Sequence, residues 1–175
     1  MQYPIYLTGF MGSGKSTFGR LLARELGFKF IDLDKYIEEE ERTSISEIFA
    51  RYGEEKFREI ERLAVHESTK SGKAVIATGG GVPCHFDNIE IMNKHGLTIY
   101  LKVSPEALTD RLMPAREHRP LIAGKSREEL LAFIRSTLAQ RGPYYKKASL
   151  TVDTTELSPE DSVRIVMQAL NSKQA

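Results

Sequence analysis

The feature that most constrains the fold of this chain is the alternation of short apolar runs with longer amphipathic stretches. The apolar runs are nearly continuous, as in strands that are covered on both faces. Such alternation predicts βαβ units around a parallel sheet, an α/β three-layer sandwich. The five predicted strands are Ile5–Thr8, Phe30–Leu33, Ala74–Thr78, Leu97–Val103 and Leu150–Val152. The predicted helices are Ser16–Leu26, Lys35–Glu41, Glu54–Lys70, Asp87–Lys94, Pro105–Leu112, Ser126–Gln140 and Pro159–Leu170.

Length, charge and cysteine content narrow the class of protein. The 175 residues fit one domain, predicted to span 1–175. A formal net charge of +1 argues against a polybasic nucleic-acid-binding protein. No apolar run reaches the ~20 residues that a membrane span requires. The single cysteine, Cys84, excludes an internal disulfide, and the N-terminus lacks the basic region of a signal peptide, so a cytoplasmic protein is expected. No segment demands a partner, and a monomer is expected.

A glycine-rich motif follows the first predicted strand and precedes the first predicted helix. It runs from Gly9 to Ser16 as GFMGSGKS, the P-loop pattern in the context that this pattern requires. Glycines allow backbone N–H groups to converge on phosphate oxygens, and the helix N-terminus adds its dipole to the anion site. In such a motif Lys15 can reach the β- and γ-phosphates, and Ser16 can ligate Mg²⁺. The candidate nucleotide-binding residues are Gly12, Ser13, Gly14, Lys15, Ser16 and Thr17.

Two carboxylates stand at the end of the second predicted strand. Residues i and i+2 of a strand point the same way, so Asp32 and Asp34 could both face one site. Two acids near a triphosphate favour metal-binding and acid–base roles. The alternative is an N-cap and a solvated charge at the head of the following helix. The spacing alone leaves both interpretations open.

Three consecutive glycines, Gly79, Gly80 and Gly81, follow the third predicted strand. Just past a parallel strand, glycines allow a ligand to approach the backbone closely. The alternative is a tight turn that needs positive φ angles. The motif by itself does not decide between the two.

An arginine and a glutamate lie three residues apart on one face of a predicted helix. Arg58 and Glu61 could form an ordinary exposed ion pair. Alternatively, Glu61 could hold Arg58 in one rotamer so that the guanidinium grips a carboxylate.

The segment 112–125 is the least patterned part of the chain and predicts a mobile loop. Arg119, within this segment, could close over phosphates as the arginine of a lid. The alternative is a solvated loop charge. Arg116 and Arg141 are further candidates for anion binding.

Together these motifs resemble those of one family, the shikimate kinases. The resemblance covers essentially the whole chain and rests on the P-loop, Asp32-x-Asp34, Phe57-Arg58-x-x-Glu61, Thr78-Gly-Gly-Gly81, Arg119-Pro-Leu-Ile and Arg141-x-Pro-x-Tyr145. It implies the nucleoside-monophosphate-kinase fold, a P-loop NTPase fold with a five-stranded parallel sheet in the order 2-3-1-4-5 and a mobile lid. It also implies transfer of the γ-phosphoryl group of MgATP to the 3-hydroxyl of shikimate, giving shikimate 3-phosphate and ADP in aromatic amino acid biosynthesis.

The resemblance further implies which residues bind shikimate. Arg58 and Arg141 would hold its carboxylate, and Asp34 would hydrogen-bond the hydroxyl that attacks. The residues 33–62 would form the helical region that binds shikimate. The implied substrate-binding set is Asp34, Arg58, Glu61, Gly79, Gly80, Gly81 and Arg141.

On the nucleotide side, the resemblance implies catalytic roles for Lys15, Asp34 and Arg119, the last as the arginine of a lid at 112–125. Mg²⁺ would be held by Ser16 and, through water, by Asp32. Arg111 and Pro159 correspond to positions that pack against adenine, with Arg116 as a rival for Arg111.

Other functions compete with this interpretation. A gluconate kinase is also a small P-loop enzyme that acts on an anionic polyol, and nucleoside-monophosphate kinases are a weaker alternative. A non-catalytic nucleotide-binding module or a P-loop switch would belong to a different class. The presence of Asp34 together with Lys15 and a lid arginine favours an enzyme.

Overall fold

The computed structural model describes residues 2–119 and 121–172. Within them lies a five-stranded parallel sheet in the order β2-β3-β1-β4-β5, which confirms the predicted fold class and strand order. The strands are β1 (Ile5–Thr8), β2 (Lys29–Asp32), β3 (Ala74–Ala77), β4 (Leu97–Lys102) and β5 (Leu150–Asp153). The central strand β1 pairs with β3 on one side and with β4 on the other.

Helices cover both faces of this sheet because side chains alternate across the central strand. Ile5 and Leu7 pack with residues of the first and last helices, whereas Tyr6 packs on the opposite face against the third and fourth. The helices are α1 (Lys15–Leu26), α2 (Leu33–Glu41), α3 (Ile45–Ser68), α4 (Asn88–His95), α5 (Pro105–Leu112), α6 (Arg127–Tyr145) and α7 (Pro159–Ser172), with 3₁₀ helices at Val82–Cys84 and Met113–His118.

The segment 112–125 is more ordered in its backbone than the sequence predicted. It contains the 3₁₀ helix Met113–His118, and the side chain of Ile122 is fully buried in a third apolar core beneath α5 and α6. The predicted mobile loop thus contains regular structure and a buried side chain, Ile122, that packs it against the core. Its Pro120 lies outside the described residues, and the predicted mobility stays a prediction.

A capping box explains why α3 begins at Ile45 and not at the predicted Glu54. The Ser44 hydroxyl accepts a hydrogen bond from the Glu47 N–H at 3.2 Å, and the Glu47 carboxylate accepts one from the Ser44 N–H at 3.1 Å. Gly53, with φ 79° and ψ 177°, interrupts the helical path and divides α3 into two parts. The second part contains Arg58 and Glu61.

The carboxyl ends of the parallel strands bring the predicted motifs to one edge of the sheet. The P-loop follows β1, Asp32 ends β2, and the three glycines follow β3. Helix α6 continues beyond the predicted Gln140 to Tyr145, so Arg141 lies on a helix. In the part of the chain that the structure describes, no helix has the length and apolar character needed to cross a membrane.

Candidate active site

The P-loop connects β1 to α1 and contains three backbone positions that only glycine can occupy without strain. Gly9, Gly12 and Gly14 have φ angles of 144°, 79° and 88°. The Lys15 ammonium donates hydrogen bonds to the carbonyl oxygens of Gly9 at 2.8 Å and Phe10 at 3.0 Å. Lys15 is thereby folded back over the loop, at the position where a phosphate would meet the N-terminus of α1.

The charge of Lys15 is balanced by the acids across the site. Burial lowers the pKa of Lys15 to about 8, while the carboxylates of Asp34 and Asp32 oppose this shift. Burial and the neighbouring negative charge of Asp32 raise the pKa of Asp34, and Lys15 opposes that shift in turn. Lys15 and Asp34 are thus coupled electrostatically across one cavity.

That cavity is a cleft of about 310 Å³ at the carboxyl edge of the sheet. Residues from three of the predicted motifs and from the segment 112–125 line it together. The predicted site residues in its wall are Gly12, Gly14, Lys15, Ser16, Thr17, Asp32, Asp34, Gly79, Gly80 and Arg119.

Asp32 and Asp34 both reach this cleft, although not for the predicted reason. β2 ends at Asp32 and Leu33 already begins α2, so the predicted placement of both carboxylates on one strand was wrong. Asp32 caps that helix, accepting a hydrogen bond from the Lys35 N–H at 3.4 Å, and also accepts one from the Ser16 hydroxyl at 3.2 Å. The N-cap interpretation thus holds for Asp32, and its contact with Ser16 is compatible with the metal-binding interpretation, which stays a prediction.

The pair formed by Ser16 and Asp32 fits a magnesium ion. Their hydroxyl and carboxylate oxygens lie 3.2 Å apart on the cleft wall, beside the P-loop. Mg²⁺ prefers oxygen ligands and usually binds through one or two protein groups, waters and substrate phosphates. Among the described residues no group of three or more His, Cys, Asp or Glu side chains could hold a metal by itself.

The three glycines after β3 serve close approach and not a turn with positive φ. None of them has a positive φ angle, so that alternative was wrong. A Cβ at Gly79 would lie 2.9 Å from Asp34 Oδ1 and 3.2 Å from Glu61 Oε1. A Cβ at Gly80 would lie 3.4 Å from an Arg141 nitrogen, and one at Gly81 would lie 2.8 Å from Arg58 Nη1. The missing side chains at Gly79 and Gly81 therefore make room for Asp34, Glu61 and Arg58, whereas a Cβ at Gly80 would only touch Arg141.

Arg58 is held by two carboxylates of its own helix. Its Nη1 donates to Glu61 Oε2 at 2.6 Å, and its Nε and Nη2 donate to Glu54 Oε1 at 3.2 and 3.0 Å. The side chains of Arg58 and Glu61 are only 13% and 2% exposed, so this is not an ordinary surface ion pair. Burial raises the pKa of Glu61 to about 7, even though Arg58 favours its charged form.

A second cleft, of about 260 Å³, adjoins the first at Gly14. Arg111 and Pro159 line it, and Arg111 donates to the carbonyl oxygens of Thr154 at 3.1 Å and Thr155 at 3.2 Å. The second cleft lies next to the P-loop and has a partly apolar wall, so it suits a flat nucleobase. Its other lining residues are Ser13, Phe18, Leu101, Leu157 and Ser162.

The two arginines of the segment 112–125 are placed differently. Arg119 lines the main cleft, and its backbone carbonyl accepts hydrogen bonds from the N–H groups of Ile122 and Ala123 at 3.0 and 2.9 Å. Arg116 donates to the Met113 carbonyl at 2.9 Å and does not line the second cleft. The geometry thus favours Arg111 over Arg116 as the neighbour of a base.

Comparison with known proteins agrees with this geometry. The family model of shikimate kinases matches residues 11–171. A shikimate kinase of Parabacteroides distasonis is 49% identical over 166 residues, which cover 95% of this chain and 96% of that protein. The chain belongs to the shikimate kinase family. A crystal structure of the shikimate kinase from Bacteroides thetaiotaomicron superposes with a TM-score of 0.93 at 42% identity, covering 98% of this chain and 99% of that one.

A further structure of a shikimate kinase is that of Acinetobacter baumannii in complex with shikimate. It superposes with a TM-score of 0.87 at 33% identity and covers 99% of this chain and 95% of that one. Membership of the shikimate kinase family makes the chain an ATP-dependent kinase.

Two residues of this shikimate kinase site were missed by the sequence analysis. Glu54 has a visible signal, since it lies four residues before Arg58 on the same helix. Tyr145 was part of the family motif, but no role in binding or catalysis was predicted for it. Its hydroxyl donates a hydrogen bond to the Gly80 carbonyl oxygen at 2.6 Å. No pattern along the chain indicates a contact between residues so distant in sequence.

Proposed function

We propose that the chain transfers the γ-phosphoryl group of MgATP to the 3-hydroxyl of shikimate, giving shikimate 3-phosphate and ADP in the biosynthesis of chorismate and aromatic amino acids. The observation that carries the proposal is the convergence of Asp34, Arg141 and Arg58 on three adjacent glycines beside the P-loop. A phosphate site next to two arginines and one acid suits an acceptor that has both a carboxylate and hydroxyl groups.

The acceptor side of the proposal assigns Arg58 and Arg141 to the carboxylate of shikimate. Charge-assisted hydrogen bonds from guanidinium groups are the strongest that such a ligand can accept. Glu61, with its carboxylate 2.6 Å from Arg58 Nη1, keeps one of these guanidinium groups in place. Gly79, Gly80 and Gly81 would lie against the ring of the substrate.

Asp34 is proposed to orient the attacking hydroxyl and to accept its proton. Burial and the charge of Asp32 raise the pKa of Asp34, which makes its carboxylate a better proton acceptor. Lys15 lies in the same cleft and favours the charged form of Asp34, which opposes this rise.

The donor side rests on positioning and charge neutralisation, which are the main requirements of phosphoryl transfer. Backbone N–H groups between Gly12 and Thr17 would surround the phosphates, and Lys15 would exchange its carbonyl partners for the β- and γ-phosphates. Arg119 would neutralise charge on the group in transfer. Arg111 and Pro159 would flank the adenine.

Ser16 and Asp32 would hold the magnesium ion, the latter through water. When bound, Mg²⁺ neutralises negative charge on the β- and γ-phosphates. We further propose a cytoplasmic monomer that acts on small molecules, not on nucleic acids or membranes, a proposal supported by the net charge of +1 and the single cysteine.

A coupled assay of ADP release tests the function against its rivals. With MgATP, shikimate should stimulate turnover, whereas gluconate and AMP should not. Stimulation by gluconate would support a gluconate kinase. If ATP bound but no acceptor raised turnover, the protein would be a nucleotide-binding module.

Calorimetry tests the acceptor site itself. Arg58→Ala and Arg141→Ala should each weaken shikimate binding about ten- to a hundredfold, because a charge-assisted contact is lost, and should spare ATP binding. Arg135→Ala is the matched control, since Arg135 lies on the same helix as Arg141 but pairs at the surface with Glu106 at 2.6 Å. An equal loss of both affinities would indicate unfolding or a wrong site.

A further inference from the structure

The loop of Gly79, Gly80 and Gly81 meets the charged groups of the acceptor site, yet glycine is the residue with the most backbone freedom. A loop of this kind keeps one conformation only where hydrogen bonds fix its peptide groups. Two of its carbonyls are fixed locally: the Gly79 oxygen accepts from the Val82 N–H at 3.1 Å, and the Gly81 oxygen accepts from the Cys84 N–H at 2.9 Å. Both bonds belong to the turn into the 3₁₀ helix Val82–Cys84.

The carbonyl of the middle glycine is fixed from another element. The Gly80 oxygen accepts a hydrogen bond of 2.6 Å from the Tyr145 hydroxyl, at the end of α6. The Tyr145 side chain is fully buried, and its ring stacks on Tyr100 with centroids 5.0 Å apart and an interplanar angle of 28°. The ring is therefore fixed on its face by packing, and the hydroxyl has a defined position from which to hold the loop.

The same end of α6 also provides Arg141, one helical turn before Tyr145. An Arg141 nitrogen lies 3.4 Å from the point that a Cβ on Gly80 would occupy. One helical turn thus touches Gly80 twice, with a guanidinium beside its α-carbon and a hydroxyl on its carbonyl oxygen. This double contact sets the distance between the glycine loop and Arg141, the residue proposed to hold the carboxylate of shikimate.

We infer that Tyr145 is a positioning residue for the acceptor: its hydroxyl fixes the Gly80 peptide relative to Arg141, and so sets the shape of the pocket that receives shikimate. The inference deepens the proposed function and rests on it. Tyr145 does not line the cleft beside the P-loop, so its effect is on acceptor binding and not on the nucleotide. Without the hydroxyl, the central carbonyl of a three-glycine loop would lose its partner, and the loop would sample other conformations.

The test is Tyr145→Phe, which keeps the stacked ring and removes a single oxygen. We expect the KM for shikimate to rise roughly five- to thirtyfold, the range for losing one buried hydrogen bond. The KM for ATP should stay within about twofold, and kcat should fall less than the KM for shikimate rises. Tyr100→Phe is the matched control, because Tyr100 belongs to the same aromatic stack but makes no contact with Gly80 in the hydrogen bonds described.

Hydrogen exchange provides a second measurement that does not depend on activity. In the ligand-free protein, the backbone N–H groups of residues 79–82 and 84 should exchange faster in Tyr145→Phe than in Tyr100→Phe or the wild type. A lower melting temperature with an unchanged KM for shikimate would overturn the inference and leave Tyr145 a core residue. A wild type with no shikimate-dependent turnover would instead overturn the proposed function, together with the role of Tyr145 toward that substrate.

Discussion

In the P-loop, Gly9, Gly12 and Gly14 take positive φ angles, whereas the three glycines after β3 take none. The first group is glycine because the backbone needs a conformation that other residues adopt only with strain. In the second group, Gly79 and Gly81 are glycine because charged side chains lie within 2.9 and 2.8 Å of the point where a Cβ would stand, whereas a Cβ at Gly80 would make ordinary contacts. The same residue type thus meets a conformational requirement in one turn and a spatial requirement in the other.

The two turns also contact ligands in different ways under the proposed function. The P-loop offers backbone N–H groups and one lysine to the phosphates. The turn after β3 offers little of its own and gathers Asp34, Arg58 and Arg141 from three helices around the acceptor. Substitutions on the two sides should therefore separate effects on the donor from effects on the acceptor.

The largest effect is expected at the centre of the donor side. Lys15→Ala should abolish turnover, because the P-loop lysine contacts the β- and γ-phosphates where charge shifts in the transition state. The melting temperature and shikimate binding should stay near those of the wild type. Lys70→Ala, which removes an exposed lysine paired with Glu67, is the control for loss of a positive charge. Comparable ATP turnover in Lys15→Ala would refute the assignment of the donor site.

Two residues at the boundary of the donor and acceptor sides should give the next largest effects. Arg119→Ala should lower kcat by about 10³-fold with little change in either affinity, because its contact forms mainly in the transition state. Asp34→Asn should also lower kcat heavily, since an amide cannot accept the hydroxyl proton. Steady-state kinetics of the single and double variants measure both effects.

Retention of activity would redistribute these roles. If Arg119→Ala kept kcat within about twofold of the wild type, a barrier change of only ~0.4 kcal/mol, the lid role would pass to Arg116 or disappear. If Asp34→Asn kept near-normal kcat, Asp34 would be only a charge in the first turn of α2, and another base would be required.

Replacing one glycine of each turn by alanine tests whether the two turns need glycine for different reasons. Gly81→Ala places a Cβ 2.8 Å from Arg58 Nη1, so Arg58 should be displaced while the backbone stays unstrained. We expect the KM for shikimate to rise about ten- to a hundredfold with a nearly unchanged melting temperature. Gly12→Ala, at φ 79° and with its Cβ 3.0 Å from Leu112, should lower the melting temperature by roughly 2–8 °C.

A remote glycine provides the control for φ alone. Gly72 has φ 63° and no atom within 4 Å of its Cβ position, so Gly72→Ala should lower stability without changing either KM. If Gly81→Ala instead lost stability like Gly72→Ala and kept its KM for shikimate, the turn after β3 would need glycine for its conformation, and the comparison would fail.

The sequence alone could not predict that the P-loop and the turn after β3 need glycine for different reasons. Apolar runs and the P-loop pattern predicted the parallel sheet and its nucleotide site, because strand burial and phosphate binding leave local signals. The glycine pattern did not reveal which physical requirement applied at Gly79–Gly81, since both requirements select the same residue. The Tyr145–Gly80 contact has no local signal at all, because it joins two elements through the tertiary packing of α6.

Helix boundaries were missed where side chains, not apolar periodicity, decide them. The first part of α3 follows the capping box of Ser44 and Glu47, which the sequence contains but the periodicity does not show. Both alternatives predicted for Arg58 and Glu61 paired the two residues, either as an exposed ion pair or as a glutamate that positions the arginine. Only the 2% exposure of Glu61 distinguishes a buried positioning carboxylate from a surface ion pair.

The smallest expected effect is a pH dependence of the acceptor side that runs opposite to that of the donor side, where Lys15 gains positive charge below a pKa of about 8. Burial raises the pKa of Glu61 to about 7, against Arg58 and Arg141, which lower it, while the charge of Asp34 raises it further. Below this pH a neutral Glu61 holds Arg58 less firmly. Shikimate affinity should therefore fall about two- to fivefold as the pH drops from 8 to 6, whereas ATP affinity should not fall, because Lys15 becomes more fully charged over the same range.

Stability should change with pH in the opposite direction, which separates this mechanism from simple acid unfolding. The folded state binds the Glu61 proton more tightly than the unfolded chain does, whose pKa for glutamate is about 4.3. This group's contribution to the free energy of unfolding is thus fully present below about pH 4.3 and is lost as the pH rises through about 7. Glu61→Gln should remove both pH dependences, whereas Glu59→Gln, on the same helix but exposed and paired with Lys56, should keep them. If shikimate affinity in Glu61→Gln still fell as the pH dropped from 8 to 6, the titration would belong to Asp34. Asp34 is the other carboxylate beside Gly79, and its pKa is also raised.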